Sequence, residues 1–130
     1  MAVKRMISIK MPEYLVDQIE ARARINCRSR DAEMRYLLDV GFEAAQDGDF
    51  QLSLEFNPCR RMVVRVTDDV LVALEQRSTR LRRSVAVEVV RLVAYAIKVG
   101  VERDLALLQE MVAIAAGRRH APSAVEGVRP

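Results

Sequence analysis

Slid by 55 positions, this 130-residue chain falls onto itself without a gap. RMISIKMPEYLVDQIEARARINCRSRDAEMRYLL lies over RRMVVRVTDDVLVALEQRSTRLRRSVAVEVVRLV, with one residue trimmed at the start. Glu20 meets Glu75, Arg22 meets Arg77, Arg28 meets Arg83, Ser29 meets Ser84, Glu33 meets Glu88 and Leu37 meets Leu92. Lys10 falls on Arg65 and Ile19 on Leu74. Self-similarity at a fixed period means one supersecondary unit used twice, and it limits the folds open to the chain more than any single motif.

Each half has the same local grammar. It opens on a short alternating run. Met6, Ser8 and Lys10 point one way and Ile7, Ile9 and Met11 the other; Arg61, Val63 and Arg65 likewise oppose Met62, Val64 and Val66. A period of two with one apolar face predicts a half-buried strand. Pro12-Glu13 suits a first helical turn, and Thr67-Asp68-Asp69 offers an N-cap followed by acids that favour the positive end of the helix dipole. A helix of about a dozen residues follows, with Leu15, Ile19 and Ala23 on one face in the first half and Val70, Leu74 and Ser78 in the second. Breaks are expected at Ile25–Arg28 and Leu81–Arg83, after which Ser29 and Ser84 sit where N-caps belong. The second helices carry Met34, Leu37, Leu38 and Phe42, and Val89, Leu92, Val93 and Ala96. Gly41 and Gly100 read as punctuation near their ends.

The domain organisation that follows is a first repeat over 1–45, a linker over 46–59, a second repeat over 60–100, a C-terminal helix over 101–117 and a mobile tail over 118–130. In the linker, Leu52, Leu54 and Phe56 alternate with polar residues, which also suits an extra strand. In the C-terminal helix, expected over Glu102–Ala116, Val101, Leu105, Leu108, Val112 and Ala115 follow a 4-3-4-3 spacing. Such a helix either packs on its own domain or joins two chains, making a homo-oligomer.

Charge narrows the function. The net charge is only +3, but residues 60–100 carry nine bases and four acids, while 46–59 carry three acids and no base. The second repeat is therefore the expected anion-facing region. Three Tyr, three Phe and no Trp are few platforms for stacking single-stranded bases. No apolar run approaches a membrane span and no signal-peptide core is present, so a cytoplasmic protein without membrane contact is expected. No phosphate-binding loop, dinucleotide fingerprint or zinc-protease motif occurs, His120 stands alone, and Cys27 and Cys59 have no neighbouring histidine. A non-enzyme with no cofactor, no metal and no catalytic residue is the expectation.

One strand has no ladder partner and must find another. The simplest solution pairs Arg5–Met11 with Arg61–Val66 antiparallel within the chain, although pairing between chains is open on sequence alone. Taken with the segments ISIKMP, NCRSRDAEM and LRRSVAVEV, each half resembles the ribbon-helix-helix (Arc/MetJ/CopG) DNA-binding superfamily. The resemblance covers about residues 5–44 and 60–99. It implies a mostly α fold with a short two-stranded antiparallel ribbon, here a tandem ribbon-helix-helix pseudo-dimer plus a C-terminal helix. It also implies double-stranded DNA as partner, with the ribbon in the major groove. Base reading would fall to Met6, Ser8, Lys10, Arg61, Val63 and Arg65, and phosphate anchoring to Arg28, Ser29, Arg30, Arg82, Arg83 and Ser84. The chain departs from the family by placing Cys27 and Arg82 at a turn position usually held by Gly, and Thr67 where the proline usually falls.

A bacterial or phage transcriptional repressor, nucleoid-associated when bound, is the leading expectation. The alternatives are an accessory DNA-binding protein of a conjugative-transfer or partition complex and, in a different class, a protein-binding scaffold or antitoxin-type module.

Overall fold

A computed structural model describes residues 4–120. The described chain is mostly helical, with one two-stranded antiparallel sheet and four helices. In order these are β1 (Lys4–Pro12), α1 (Glu13–Ile25), α2 (Arg30–Ala45), β2 (Cys59–Thr67), α3 (Asp68–Leu81) and α4 (Val85–His120). The chain divides into two compact units, Met1–Ile97 and Lys98–Pro130.

In the first unit the alternation of the strands becomes a two-faced ribbon. Ile9, Met11, Met62, Val64 and Val66 are buried, and Met6, Ser8, Lys10, Arg61, Val63 and Arg65 are exposed. The buried face meets Leu15, Val16 and Ile19 from α1, Met34, Leu37 and Leu38 from α2, Leu74 from α3 and Val89, Leu92 and Val93 from α4. Each large apolar side chain fully withdrawn from water contributes about 1.5–3 kcal/mol. A two-stranded ribbon cannot stand on its own ladder, so this one-sided burial is what holds it.

The interhelix turns follow from their residues. Ser29 caps α2, its Oγ accepting from Ala32 N at 3.1 Å, and Ser84 Oγ accepts from Val87 N at 3.1 Å at the start of α4. Cys27 and Arg82 take φ of 55° and 58°, the left-handed region that favours glycine. Pro12 closes β1 and occupies the N-cap of α1 rather than its first turn, while Glu13 N donates to Pro58 O at 3.0 Å. Thr67 stands at the N-cap of α3, but its side chain makes no capping hydrogen bond; the acids Asp68 and Asp69 open that helix.

Several sequence expectations need correction. Gly41 is not terminal punctuation but lies within α2, where a Cβ would come 2.3 Å from the carbonyl oxygen of Leu92. Only a glycine lets the two backbones approach so closely. Gly100 does not end a helix either. α4 passes through it without a break, so the separate helix expected over 101–117 is the distal part of α4. A single glycine costs a helix about 1 kcal/mol relative to alanine, too little to break one flanked by strong helical sequence on both sides. Of the tail expected at 118–130, residues 118–120 continue α4, and residues 121–130 lie outside the described residues.

The linker is shorter than expected, because Cys59 belongs to β2, and residues 51–56 form no strand. Their alternation is nonetheless read by the fold. Phe50, Leu52 and Leu54 pack against the core while Gln51, Ser53 and Glu55 face out. Backbone partners come from a side chain instead of a ladder: Arg91 donates to Phe50 O at 2.8 Å and to Leu52 O at 3.5 Å. The Phe50 and Tyr95 rings stack with centroids 4.1 Å apart. The linker is an ordered strap on α4.

Candidate nucleic-acid interface

The register brings the six outward ribbon residues together as direct cross-strand partners: Met6 with Arg65, Ser8 with Val63, and Lys10 with Arg61. Ser8 and Val63, which correspond under the 55-residue offset, are themselves ladder partners and mark the middle of the face. The two ends differ. One presents Met6 beside Arg65, the other Lys10 beside Arg61.

Electrostatics on this face work against folding. Lys10 and Arg61 are like charges placed directly opposite, an arrangement that destabilises a ladder. Among the described residues none of Lys10, Arg61 and Arg65 stands in an ion pair, although Arg61 Nη1 donates to Ser8 Oγ at 3.1 Å. The neighbouring arginines on the same strands are occupied: Arg5 pairs with Asp68 at 2.9 Å, and Arg60 with Glu13 at 3.6 Å. Val63 and Met6 remain 53% and 69% exposed, apolar contact points between the cations.

Beside the Lys10–Arg61 end runs a shallow groove lined by Ser8, Lys10, Arg61, Phe56, Ala86 and Val87. Phe56 is a partly exposed aromatic next to two cations, a position that no local sequence signal gives away, since the folding of the strap puts it there.

The six residues expected to anchor phosphate divide in two. Ser29 and Ser84 are exposed at helix starts, Arg82 is exposed, and Arg30 is exposed in a surface pair with Glu20 at 3.2 Å. Arg28 and Arg83 are turned to other work. Each reaches the carboxylate one turn into the following helix: Arg28 meets Glu33 at 3.0 Å and Arg83 meets Glu88 at 2.8 Å. Both glutamates are fully buried. Asn26 adds a donor to Glu33, and the buried Arg77 adds one to Glu88 at 2.7 Å. Arg28 also lies 4.2 Å over the Tyr36 ring.

Arg83 further grips Asp49 of the strap, with contacts of 3.0 and 2.7 Å. That hydrogen bonding is the main reason the Asp49 carboxyl falls from 3.8 to about 2, and it raises the Arg83 guanidinium further above its already high ordinary value. Sequence reasoning missed the burial of Glu33 and Glu88. Their place under arginines at matched spacing in both halves was the available signal.

No helix among the described residues is long and apolar enough to cross a membrane. No family model, curated protein or solved structure matches the chain.

Proposed function

We propose that the chain binds double-stranded DNA by laying its ribbon in the major groove, as a transcriptional repressor or regulator rather than an enzyme. In this reading the β1-α1-α2 and β2-α3-α4 segments are two ribbon-helix-helix units joined in one chain, and the Met1–Ile97 unit does the work of a dimer. The observation that carries the reading is the exposed ribbon face. It holds three cations with no ion-pair partner among the described residues, two of them opposed at a cost in stability, beside exposed apolar side chains. A major groove about 12 Å wide admits such a two-stranded ribbon.

The roles follow from the chemistry of base edges. Arg61, Arg65 and Lys10 donate to guanine O6 and N7, Ser8 hydrogen-bonds to more than one base, and Met6 and Val63 touch thymine methyls. Because the two ends of the face differ, the bound sequence is not a palindrome. Ser29, Ser84, Arg30 and Arg82 contact phosphates and fix register without reading sequence. Arg28 and Arg83 serve this role indirectly, by setting the turns from which the second helices start. The site of action in this reading is the cytoplasm, on the nucleoid.

The test is selection from sheared genomic DNA by the full chain, beside the Arg61→Ala/Arg65→Ala double variant, at one fixed salt concentration. Salt is held fixed because phosphate contacts alone give affinity that falls steeply with it. The expected result is a defined duplex motif enriched by the parent and lost by the variant, with weak general binding retained. Its position, in a promoter or in a transfer or partition locus, separates a repressor from an accessory protein. A parent that enriches no motif overturns the reading.

A further inference from the structure

The strap leaves one apolar side chain outside the core. Phe50, Leu52 and Leu54 pack against the core, but Phe56, next in the same alternation, does not. It is 37% exposed and lines the groove beside the ribbon. To that groove the ribbon gives Ile9, Lys10 and Arg61, and the first turn of α4 gives Ala86 and Val87. No acid lines it, and Glu88, the acid of that turn, is buried and held by Arg77 and Arg83. The Ser8 hydroxyl on its wall is already engaged by Arg61. The groove is thus apolar between its two cations.

We infer that this groove seats a deoxyribose of the bound DNA, with Phe56 packed against the sugar. The inference rests on the DNA-binding reading. In that reading the ribbon meets base edges, and the start of α4 meets a phosphate beside Ser84. Within a nucleotide, the group that joins a base to its phosphate is the sugar. The groove runs between the two protein surfaces that take the base and the phosphate, so the part of the strand that crosses it is the carbon face of deoxyribose. An apolar ring suits that face. Charge agrees, because a sugar in a strand has a phosphate on either side, and Lys10 and Arg61 have no ion-pair partner among the described residues. An uncharged apolar partner would leave both cations unpaired. The strap occurs once in the chain, so it serves the Lys10–Arg61 end of the ribbon and not the Met6–Arg65 end.

The test uses the full chain and the duplex motif that it enriches. By fluorescence anisotropy, Phe56→Ala is expected to bind that duplex about tenfold more weakly, and Phe56→Leu, which keeps an apolar side chain, less than about threefold. Hydroxyl radicals cut DNA by attacking exposed deoxyribose. The parent is expected to protect sugars at both edges of its footprint, and Phe56→Ala to lose protection at one edge only. That edge is identified as the one where Lys10→Ala loses base preference. Thermal unfolding of each variant checks the fold. Unchanged affinity and footprint in Phe56→Ala give the groove to another occupant and overturn the inference, while the DNA-binding reading stands. Protection lost at both edges marks a structural role for Phe56 and also overturns it. A parent that enriches no motif overturns the reading, and this inference with it.

Discussion

Glu33 and Glu88 stand 55 positions apart and both are fully buried, yet the fold keeps them in different company. Glu33 is held by Asn26 and Arg28, which remain largely in contact with water; the Arg28 side chain is 37% exposed. Glu88 is held by Arg83 and by Arg77, which is only 3% exposed. Asp49 extends this second network to the strap, 2.7 Å from Arg83 and 3.9 Å from Arg77. The Arg77 guanidinium also leaves Nη1 and Nη2 without hydrogen-bond partners. The same acidic position thus ends a short, solvated turn in the first half and anchors a desolvated cluster in the second. What separates them is the strap, which has only one side of the molecule to lie on.

The sharpest way to break the comparison is to neutralise each carboxylate in turn. Glu88→Gln strands the buried Arg77 charge and is expected to cost about 3–5 kcal/mol. Glu33→Gln leaves a solvated arginine behind and is expected to cost about 1–2 kcal/mol. Urea denaturation at neutral pH measures both; equal losses would mean that the two networks are energetically alike.

A smaller contrast sits at the helix crossing. Gly41→Ala drives a methyl into the Leu92 carbonyl and is expected to cost about 1–3 kcal/mol through overpacking. The corresponding position in the other half is the buried Ala96, where Ala96→Gly is expected to cost about 0.5–1 kcal/mol through lost helix propensity. Thermal melts of both variants would show whether the crossing tolerates bulk on one side only.

The smallest effect is acid dependence. Asp49 has a lowered carboxyl value in the folded chain, so its contribution is fully present above the ordinary value of 3.8 and is lost as pH falls through about 2. Its side chain is 38% exposed, so solvent screening holds the gain to less than about 1 kcal/mol. Stability measured from pH 5 to pH 2 is expected to fall less steeply in Asp49→Asn than in the parent.

Much of this was legible in the chain because it is local. Strand alternation sorted Ile9 and Met11 from Ser8 and Lys10, the serines announced their caps, and Cys27 and Arg82 marked turn positions that proved left-handed. The ribbon face could be named residue by residue because register follows from the alternation once the two strands pair. What stayed hidden depends on partners distant in sequence. No local pattern says that Gly41 crosses Leu92, that Arg91 bonds the strap's carbonyls, or that Arg83 turns inward to a carboxylate instead of outward to solvent. The break expected at Gly100 failed for a different reason: a local penalty was outweighed by the helical sequence around it.

The ladder from Lys4↔Thr67 to Pro12↔Cys59 closes within one chain. A ribbon assembled from two identical chains would come apart on dilution, and any substitution in it would appear twice. Here the second strand is tethered, so the ribbon has no dissociation constant and persists at one copy per cell. Each of its six outward positions also varies alone: a change at Ser8 leaves Val63 untouched. The outward face can therefore be altered one position at a time, on either strand.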